Sequence, residues 1–450
     1  MNRARTDCRR LLLLLAAVAA VTVFTATVPL LRDWFDLRVY HGAVRHWVHD
    51  GGRLYDYRVP GTPYGFTYPP FAAVAMLPLA LVGLGTAIVL TLLLNLAALA
   101  TVVRLLTGPA RRRYGWYGGA SAACALALFE PIRDTVSFGQ VNLVLLALVL
   151  GDAWLLTTGR GRWAGIGIGL AAAVKLTPAL FIGLLLLARR GRAAALATGV
   201  AAAVTAFAAW AAPDASRFYW TRALWDTGRV GRPEYVSNQS LRGVLARLGE
   251  TGHGGWAVAV LLVLGVWAWR SRRAVAAGDW PAAFALTGLT ACLVSPVTWV
   301  HHLVWLLPSF AVLARAGRAR PAGVLYAVLC TSVVWLWFRD ASGVDGFLGA
   351  NAYTWITLGL LLWLPAGQFG SVRTPSSRSA STTAPAPSAA ATAIAAVAPQ
   401  PGRVSGAVAA ATGTGSGPGL GRTRRASSEP TGSTRPAASK PQSSRERASS

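Results

Sequence analysis

From Leu11 to Leu364 the chain is a succession of apolar runs, most of them closed by a cluster of arginines. About 20 apolar residues in a helix suffice to cross a hydrocarbon core roughly 30 Å thick. Inside that core backbone N–H and C=O groups have no water to bond, which leaves helices or closed barrels as spanning structures. Runs this long and this uniformly apolar are helical, so the fold class is an all-α polytopic membrane protein. Charge content agrees: 13% of the 450 residues are charged and 54% hydrophobic, whereas about a quarter of a soluble domain is charged.

The formal net charge of +26 would suit a nucleic-acid partner, but its placement does not. The arginines sit in short clusters between apolar runs, as the positive-inside rule requires. No basic helix, zinc finger or aromatic-basic sheet offers nucleic acid a surface, so the expected partners of these clusters are anionic membrane lipids. The four cysteines, Cys8, Cys124, Cys292 and Cys330, lie in or beside apolar segments without metal-like spacing and read as small packing residues. Leu11–Leu30, preceded by Arg3, Arg5, Arg9 and Arg10, reads as an uncleaved signal-anchor helix, with a cleaved signal peptide as the alternative.

Along the chain, a polar loop from Asp36 to Pro70 follows the first apolar run. A short interfacial or re-entrant piece, Phe71 to Leu81, comes next. Expected spans then run over Leu84–Leu106, Trp116–Phe129, Val141–Leu156 and Ala193–Ala211, and the second and third of these are joined by a polar connection from Glu130 to Gln140. Trp163–Ala188 is the case that decides sidedness. As one helix it would place Arg189, Arg190 and Arg192 opposite every other basic cluster. Its middle reads Lys175-Leu176-Thr177-Pro178, and the residue before a proline is biased away from the helix. Split there, the segment goes out and back as two short helices, of a kind tolerated where they line a cavity. After a polar loop from Pro213 to His253, further spans are expected over Trp256–Trp269, Ala282–Val297, Leu303–Leu313, Ala322–Phe338 and Tyr353–Leu364. The total is about twelve crossings, with both termini cytoplasmic. Residues 1–370 then form the membrane domain. Residues 371–450, rich in Ser, Ala, Thr, Pro and Arg, are expected to form a disordered basic cytoplasmic tail.

Under this topology the polar residues collect on the outer side. A Lys or Asp at the centre of a spanning helix costs about 2.5–3.5 kcal/mol, so such residues usually have a use. Asp36, just past the first apolar run, is the candidate general base, because part-burial would raise its pKa toward a useful range. Asp33 is the fallback, and pairing with Arg38 is the ordinary alternative for Asp36. Asp33-Trp34-Phe35-Asp36 is not the Asp-x-Asp pattern that holds a metal for a nucleotide sugar, so neither a metal nor another cofactor is expected. Lys175 is one of two lysines in the chain, the other being Lys440. At a helix break it suits a phosphate as a compact charge, or it snorkels to the interface. His301 and His302, after Ser295-Pro296, suit an anion at a helix start, with at most one ring facing a cavity because adjacent residues do not share a helix face. Gln140, Asn142, Asn238 and Gln239 offer amides to sugar hydroxyls, or else cap and bridge helices. Tyr68 joins the sugar or acceptor candidates, or anchors the interface.

At these residues the chain resembles the actinobacterial polyprenyl-phosphate-mannose-dependent α-mannosyltransferases, membrane glycosyltransferases of GT-C architecture. The resemblance rests on Asp36-x-x-Val39-Tyr40, Gly52-x-Leu54-Tyr55-Asp56, Phe66-Thr67-Tyr68-Pro69-Pro70, Gly139-Gln140-Val141-Asn142, Lys175-Leu176-Thr177-Pro178, Asn238-Gln239-Ser240-Leu241 and Ser295-Pro296 through His301-His302. It implies a GT-C-like bundle in the plasma membrane with its active site on the extracytoplasmic side. It implies a polyprenyl-phosphate-mannose donor, a glycolipid or glycan acceptor, and inverting transfer that forms an α-linkage, of (1→2) type. Asp36 would then be the base, with Lys175, His301, His302 and Arg133 holding the leaving phosphate. Two readings compete. One is a transporter, against which stand the absence of an internal repeat and the one-sided polar groups. The other is a sibling GT-C enzyme using polyprenyl-phosphate-arabinose.

Overall fold

The structure, a computed structural model, describes residues 2–27, 33–250 and 252–367. The C-terminal segment 371–450 and the end of the first apolar run, 28–32, lie outside them. Among the described residues the chain is helical throughout, without a strand, as its apolar pattern requires.

α1 (Asn2–Thr27) is followed, within the polar loop, by α2 (Phe35–Val48). In α2 Leu37, Val39, Tyr40, Ala43 and Val44 are buried, the one-sided spacing of an amphipathic helix. The piece expected after the Pro69-Pro70 break is α3 (Pro70–Ala75) with a 3-10 turn, Leu77–Leu81. α4 (Leu84–Leu106) is a full span, and α5 (Gly108–Leu128) is interrupted at Gly115. The polar connection from Glu130 is itself largely a helix, α6 (Glu130–Phe138), folded back on α7 (Asn142–Thr157) at 119°.

The segment centred on Lys175 is broken. α8 (Ile166–Val174) ends there, Lys175 is extended, and a 3-10 turn at Thr177–Ala179 leads into α9 (Leu180–Leu187). Direction follows from two glycines. A methyl group on Gly165 would meet the Ala193 carbonyl oxygen at 2.3 Å, and one on Gly169 the Ala197 carbonyl oxygen at 2.5 Å. α8 therefore runs parallel to α10 (Gly191–Ala211). α9 enters α10 through the three-residue turn Ala188–Arg190 while packing against it, so α9 runs the other way. The two short helices form a hairpin with Lys175 near its apex. Small residues let the backbones approach this closely, the main attraction open to helices in lipid. Buried Asp152 of α7 accepts the Ile168 N–H at 2.7 Å and so caps the first turn of α8.

The second half contains α11 (Pro213–Phe218), α12 (Leu241–Arg247), α13 (Gly254–Ala276), α14 (Trp280–Val294), α15 (Leu307–Arg315), α16 (Ala319–Cys330), α17 (Gly343–Gly349) and α18 (Ala352–Trp363). α14 is the centre of the core: its residues from Ala282 to Leu293 are all buried, packed by α9, α13, α15 and α18. Outward faces are apolar too, as at Leu93, Leu94, Leu261 and Leu262, each more than half exposed. Such faces suit lipid. Among the described residues three helices, α4, α10 and α13, are long and apolar enough to cross a membrane, or four spans if the bent pair α6–α7 counts as one. Five further apolar helices, Thr177–Leu187, Trp280–Val294, Val300–Arg315, Ala319–Cys330 and Ala352–Trp363, are shorter, two of them including 3-10 turns, and the expected crossings at Leu11–Leu30 and Trp116–Phe129 fall in α1 and α5.

A smaller aromatic cluster, Tyr40, Tyr55, Phe66, Tyr68 and Tyr219, joins α2, the loop after it and the loop after α11. It positions the polar groups described next.

Candidate active site

α2 begins at Phe35 after two residues with left-handed backbones, Asp33 (φ 50°) and Trp34 (φ 53°). Left-handed non-glycine residues store roughly 1–3 kcal/mol each. Here the Trp34 N–H donates to the Ser137 carbonyl at 3.1 Å, which ties the start of α2 to α6. The turn separates the two acids. Asp33 is exposed and accepts from Arg38 at 2.8 Å, whereas Asp36 is half-buried and borders a cavity of about 600 Å³. Arg38 is therefore the partner of Asp33, and the alternatives for Asp36 narrow accordingly.

Asp36 Oδ2 accepts from Gln140 Nε2 at 2.6 Å, and among the described residues no side chain donates to Oδ1. Burial raises its pKa to about 6, against the opposing pull of the Gln140 hydrogen bond and the Lys175 charge. Gln140 is held in turn. Its Oε1 accepts from the Tyr68 hydroxyl at 2.8 Å, and its carbonyl accepts from Asn95 Nδ2 at 3.1 Å. Tyr40 donates to the Tyr68 hydroxyl at 3.2 Å. Gly139 makes the placement possible. Its φ of 71° turns the chain between α6 and α7, and a methyl group there would lie 2.6 Å from Leu37 Cβ. Only glycine tolerates both demands.

From Gln140 the network continues to Lys175. Asn142 Nδ2 donates to Gln140 Oε1 at 3.4 Å, and Lys175 Nζ donates to Asn142 Oδ1 at 3.3 Å. Lys175 Nζ also lies 2.7 Å from His302 Nε2 and 5.3 Å from the Tyr68 ring centroid. The Trp299 N–H donates to His302 Nδ1 at 3.1 Å. A neutral imidazole has one acceptor nitrogen and an ammonium can only donate. With Lys175 charged, the protein's own groups at this point hold one donor more than they have acceptors.

Of the residues singled out from the sequence, Asp36, Tyr68, Gln140, Lys175, His301 and His302 border this one cavity. Asn142 is buried behind it and links Gln140 to Lys175. Both histidines border the cavity, where at most one was expected to; their rings pack edge to face at 4.6 Å, and that of His301 also packs on Phe138. Arg133, Asn238 and Gln239 do not border it. Arg133 donates to the Cys330 carbonyl at 3.1 Å and to Ser332 Oγ at 3.2 Å, with Phe24 against its guanidinium. Asn238 bridges the Pro233 and Pro296 carbonyls and the Thr298 N–H. Gln239 bridges the Val236 and Ala350 carbonyls and the Thr354 N–H. Asn238 thus clamps the loop after α11 to the loop after α14, and Gln239 clamps it to the start of α18; both side chains are buried and committed to these bonds.

The cavity also takes in Asp134, which belongs with the polar residues expected on the outer side, and Thr177, Arg229, Tyr64, Tyr235 and Trp299, to which the sequence assigned no role. Thr177 had a signal, its place in the Lys175–Pro178 break. Arg229 had none: it is one of several arginines in a long polar loop.

The model of glycosyltransferase family 87 matches residues 66–296, which carry Tyr68, Gln140 and Lys175. A polyprenol-phosphate-mannose-dependent alpha-(1-2)-phosphatidylinositol mannoside mannosyltransferase of Mycobacterium tuberculosis is 35% identical over 324 residues, 67% of this chain and 75% of that protein. A polyprenol-phosphate-mannose-dependent alpha-(1-2)-phosphatidylinositol pentamannoside mannosyltransferase of the same species is 35% identical over 317 residues, 68% of this chain and 72% of its own length. A phosphatidylinositol mannoside mannosyltransferase from Mycolicibacterium smegmatis is 36% identical over 311 residues, 62% of this chain and 69% of its own length. No solved structure matches. The matched region spans the Gln140 turn and the Lys175 hairpin, and on that extent the chain belongs to glycosyltransferase family 87.

Proposed function

We propose that the protein transfers a mannosyl residue from polyprenyl-phosphate-mannose to a hydroxyl of a phosphatidylinositol-mannoside-type glycolipid, forming an α-(1→2) linkage with inversion. The observation that carries this reading is the continuous network from Asp36 through Gln140 and Asn142 to Lys175, along the wall of one cavity. The relatives' donor, acceptor and linkage supply the substrates.

In this mechanism Asp36 Oδ1 takes the proton of the acceptor hydroxyl as its oxygen attacks C1 of the β-linked mannose. The C1–O bond to phosphate breaks on the opposite face, and its electron pair leaves with the polyprenyl phosphate. Lys175 Nζ and the His301–His302 pair receive that growing charge, an electrostatic role aimed at the transition state. With a pKa of about 6, Asp36 is mostly carboxylate at neutral pH and still basic enough to accept a proton, the compromise a general base requires. The apolar part of the wall, with Leu180 and Val294, suits the start of the polyprenyl chain.

The reading includes an arrangement in the plasma membrane: about twelve crossings within residues 1–370, arginine clusters and both termini on the cytoplasmic side, the cavity opening outward, and 371–450 as a cytoplasmic tail. Arginine placement supports it, as does the out-and-back course of α8 and α9, which returns Arg189 to the level of Gly165. The test is Asp36→Asn in membranes given polyprenyl-phosphate-mannose and a phosphatidylinositol mannoside. Transfer should fall about 10²–10⁴-fold while the donor still binds. Wild-type turnover by the variant would reject the assignment.

A further inference from the structure

Among the described residues the cavity has two cationic poles of the arginine or lysine type, and only Lys175 is used by the mechanism above. The other is Arg229, at the end of a 3-10 turn in the loop after α11. Arg229 is built in. Its Nη2 donates to the Tyr55 carbonyl at 2.6 Å, and its guanidinium lies 5.4 Å from the Phe218 ring centroid. Its Nε is buried without a hydrogen-bond partner. Asp226, Asp56 and Arg58 act on it through space, and among the described residues no carboxylate forms an ion pair with it.

Two further features locate this pole. The full length of Tyr55 separates it from Lys175: the Tyr55 carbonyl holds Arg229, the Tyr55 hydroxyl donates to the Tyr68 carbonyl at 2.8 Å, and Lys175 lies over the Tyr68 ring. Neither cation is among the charges that act on the other, so the two stand as separate poles. Beside Arg229 stands an aromatic wall. Tyr64 and Tyr235 share a hydroxyl contact at 3.3 Å, Tyr235 packs on Trp299 at 6.4 Å, and Gly231, two residues after Arg229, sits against the rings of Trp299 and Tyr64. Flat rings with polar edges suit the faces of sugars, and a guanidinium suits a phosphate oxygen pair.

We infer that Arg229 and the Tyr64–Tyr235–Trp299 wall form the acceptor subsite, in which the arginine holds the phosphodiester of an anionic glycolipid and the rings carry its sugars. This rests on the mannosyl-transfer reading. It assigns two separate phosphates, the donor's to Lys175 and the acceptor's to Arg229.

The test uses the full-length enzyme in lipid nanodiscs with polyprenyl-phosphate-mannose and two acceptors, a phosphatidylinositol mannoside and a phosphate-free alkyl α-mannoside. Arg229→Gln should reduce the preference for the phosphorylated acceptor, as a ratio of kcat/KM, by about tenfold or more, through KM for that acceptor. Arg229→Lys should recover part of it, and KM for the donor should not rise. An equal loss on both acceptors would reduce Arg229 to a brace for Tyr55. A rise in donor KM would move it to the donor's phosphate, and an unchanged ratio would remove it from recognition; each overturns the inference. Should Arg229→Gln not fold, the wild type decides: its preference for the phosphorylated acceptor must exist and must decline with salt. A wild type that mannosylates neither acceptor would instead overturn the transfer reading itself, and this inference with it.

Discussion

Gln140→Met tests the coupling between Gln140 and the proposed base. The substitution keeps the length of the side chain and removes the donor to Asp36 Oδ2, a contact of 2.6 Å. Hydrogen bonds to an ionised group contribute about 1.5–3 kcal/mol, and about 1.36 kcal/mol corresponds to one pH unit in a pKa. The Asp36 carboxyl should therefore titrate at about 7–8 in place of about 6. The sign is fixed by the mechanism. A base works as its carboxylate, so kcat/KM falls as pH drops through the pKa, and the acid limb of the variant moves upward by one to two pH units. Near pH 6.5 the variant should be slower by roughly 3- to 25-fold, the ratio of carboxylate fractions for a pKa of about 6 and one of about 7–8, and above about pH 8.5 most of the difference should vanish. The assay is the pH dependence of kcat/KM for mannose transfer, read against the melting temperature, because Tyr68 loses its acceptor as well. An acid limb that stays near pH 6 in a folded variant would refute both the role of Asp36 and its tuning by Gln140.

Gly139→Ala places a methyl group 2.6 Å from Leu37 Cβ at a φ of 71°; a loss of about 1–3 kcal/mol in stability and a lower kcat are expected from thermal melts and rates, and an inert substitution would contradict the close packing of this turn on α2. Lys175→Met should raise KM for the donor about 10–100-fold, and Lys175→Arg should restore little of it, because Asn142 and His302 frame a compact ammonium. Full rescue by arginine would mean a loose charge suffices. Asn238→Ala removes three hydrogen bonds and should cost about 2–4 kcal/mol of stability without changing KM for either substrate; a KM effect at unchanged melting temperature would return Asn238 to sugar recognition.

The break at Lys175 was legible because a lone lysine and a proline interrupt an apolar run, and arginines on the following turn demand a reversal. Asp36 was legible from its place beside the membrane, although the sequence could not say that Arg38 would pair with Asp33. That choice depends on two left-handed residues, which nothing in Asp33-Trp34 announces. Amides were the least legible. Gln140, Asn142, Asn238 and Gln239 are the same two residue types in similar short motifs, yet one pair lies in the cavity network and the other holds backbone carbonyls. The difference is made by which strand of loop passes nearby, a long-range property. The tilt of α6 was hidden for a similar reason: Glu130 is polar and reads as loop, but Trp335 and Tyr353 enclose its carboxylate from distant parts of the chain. Arg229 escaped notice because a guanidinium in a polar loop is ordinary until the surrounding rings are known.

The donor surplus around Lys175 and His302 has a consequence for the order of events. A phosphate oxygen arriving at the ammonium would supply the missing lone pair and let the imidazole keep its bond to the Trp299 amide. On the proposed reading the lipid substrate thus finishes a circuit that the polypeptide leaves one contact short. Release of polyprenyl phosphate would reopen it, and the next donor molecule would be drawn to the same deficit.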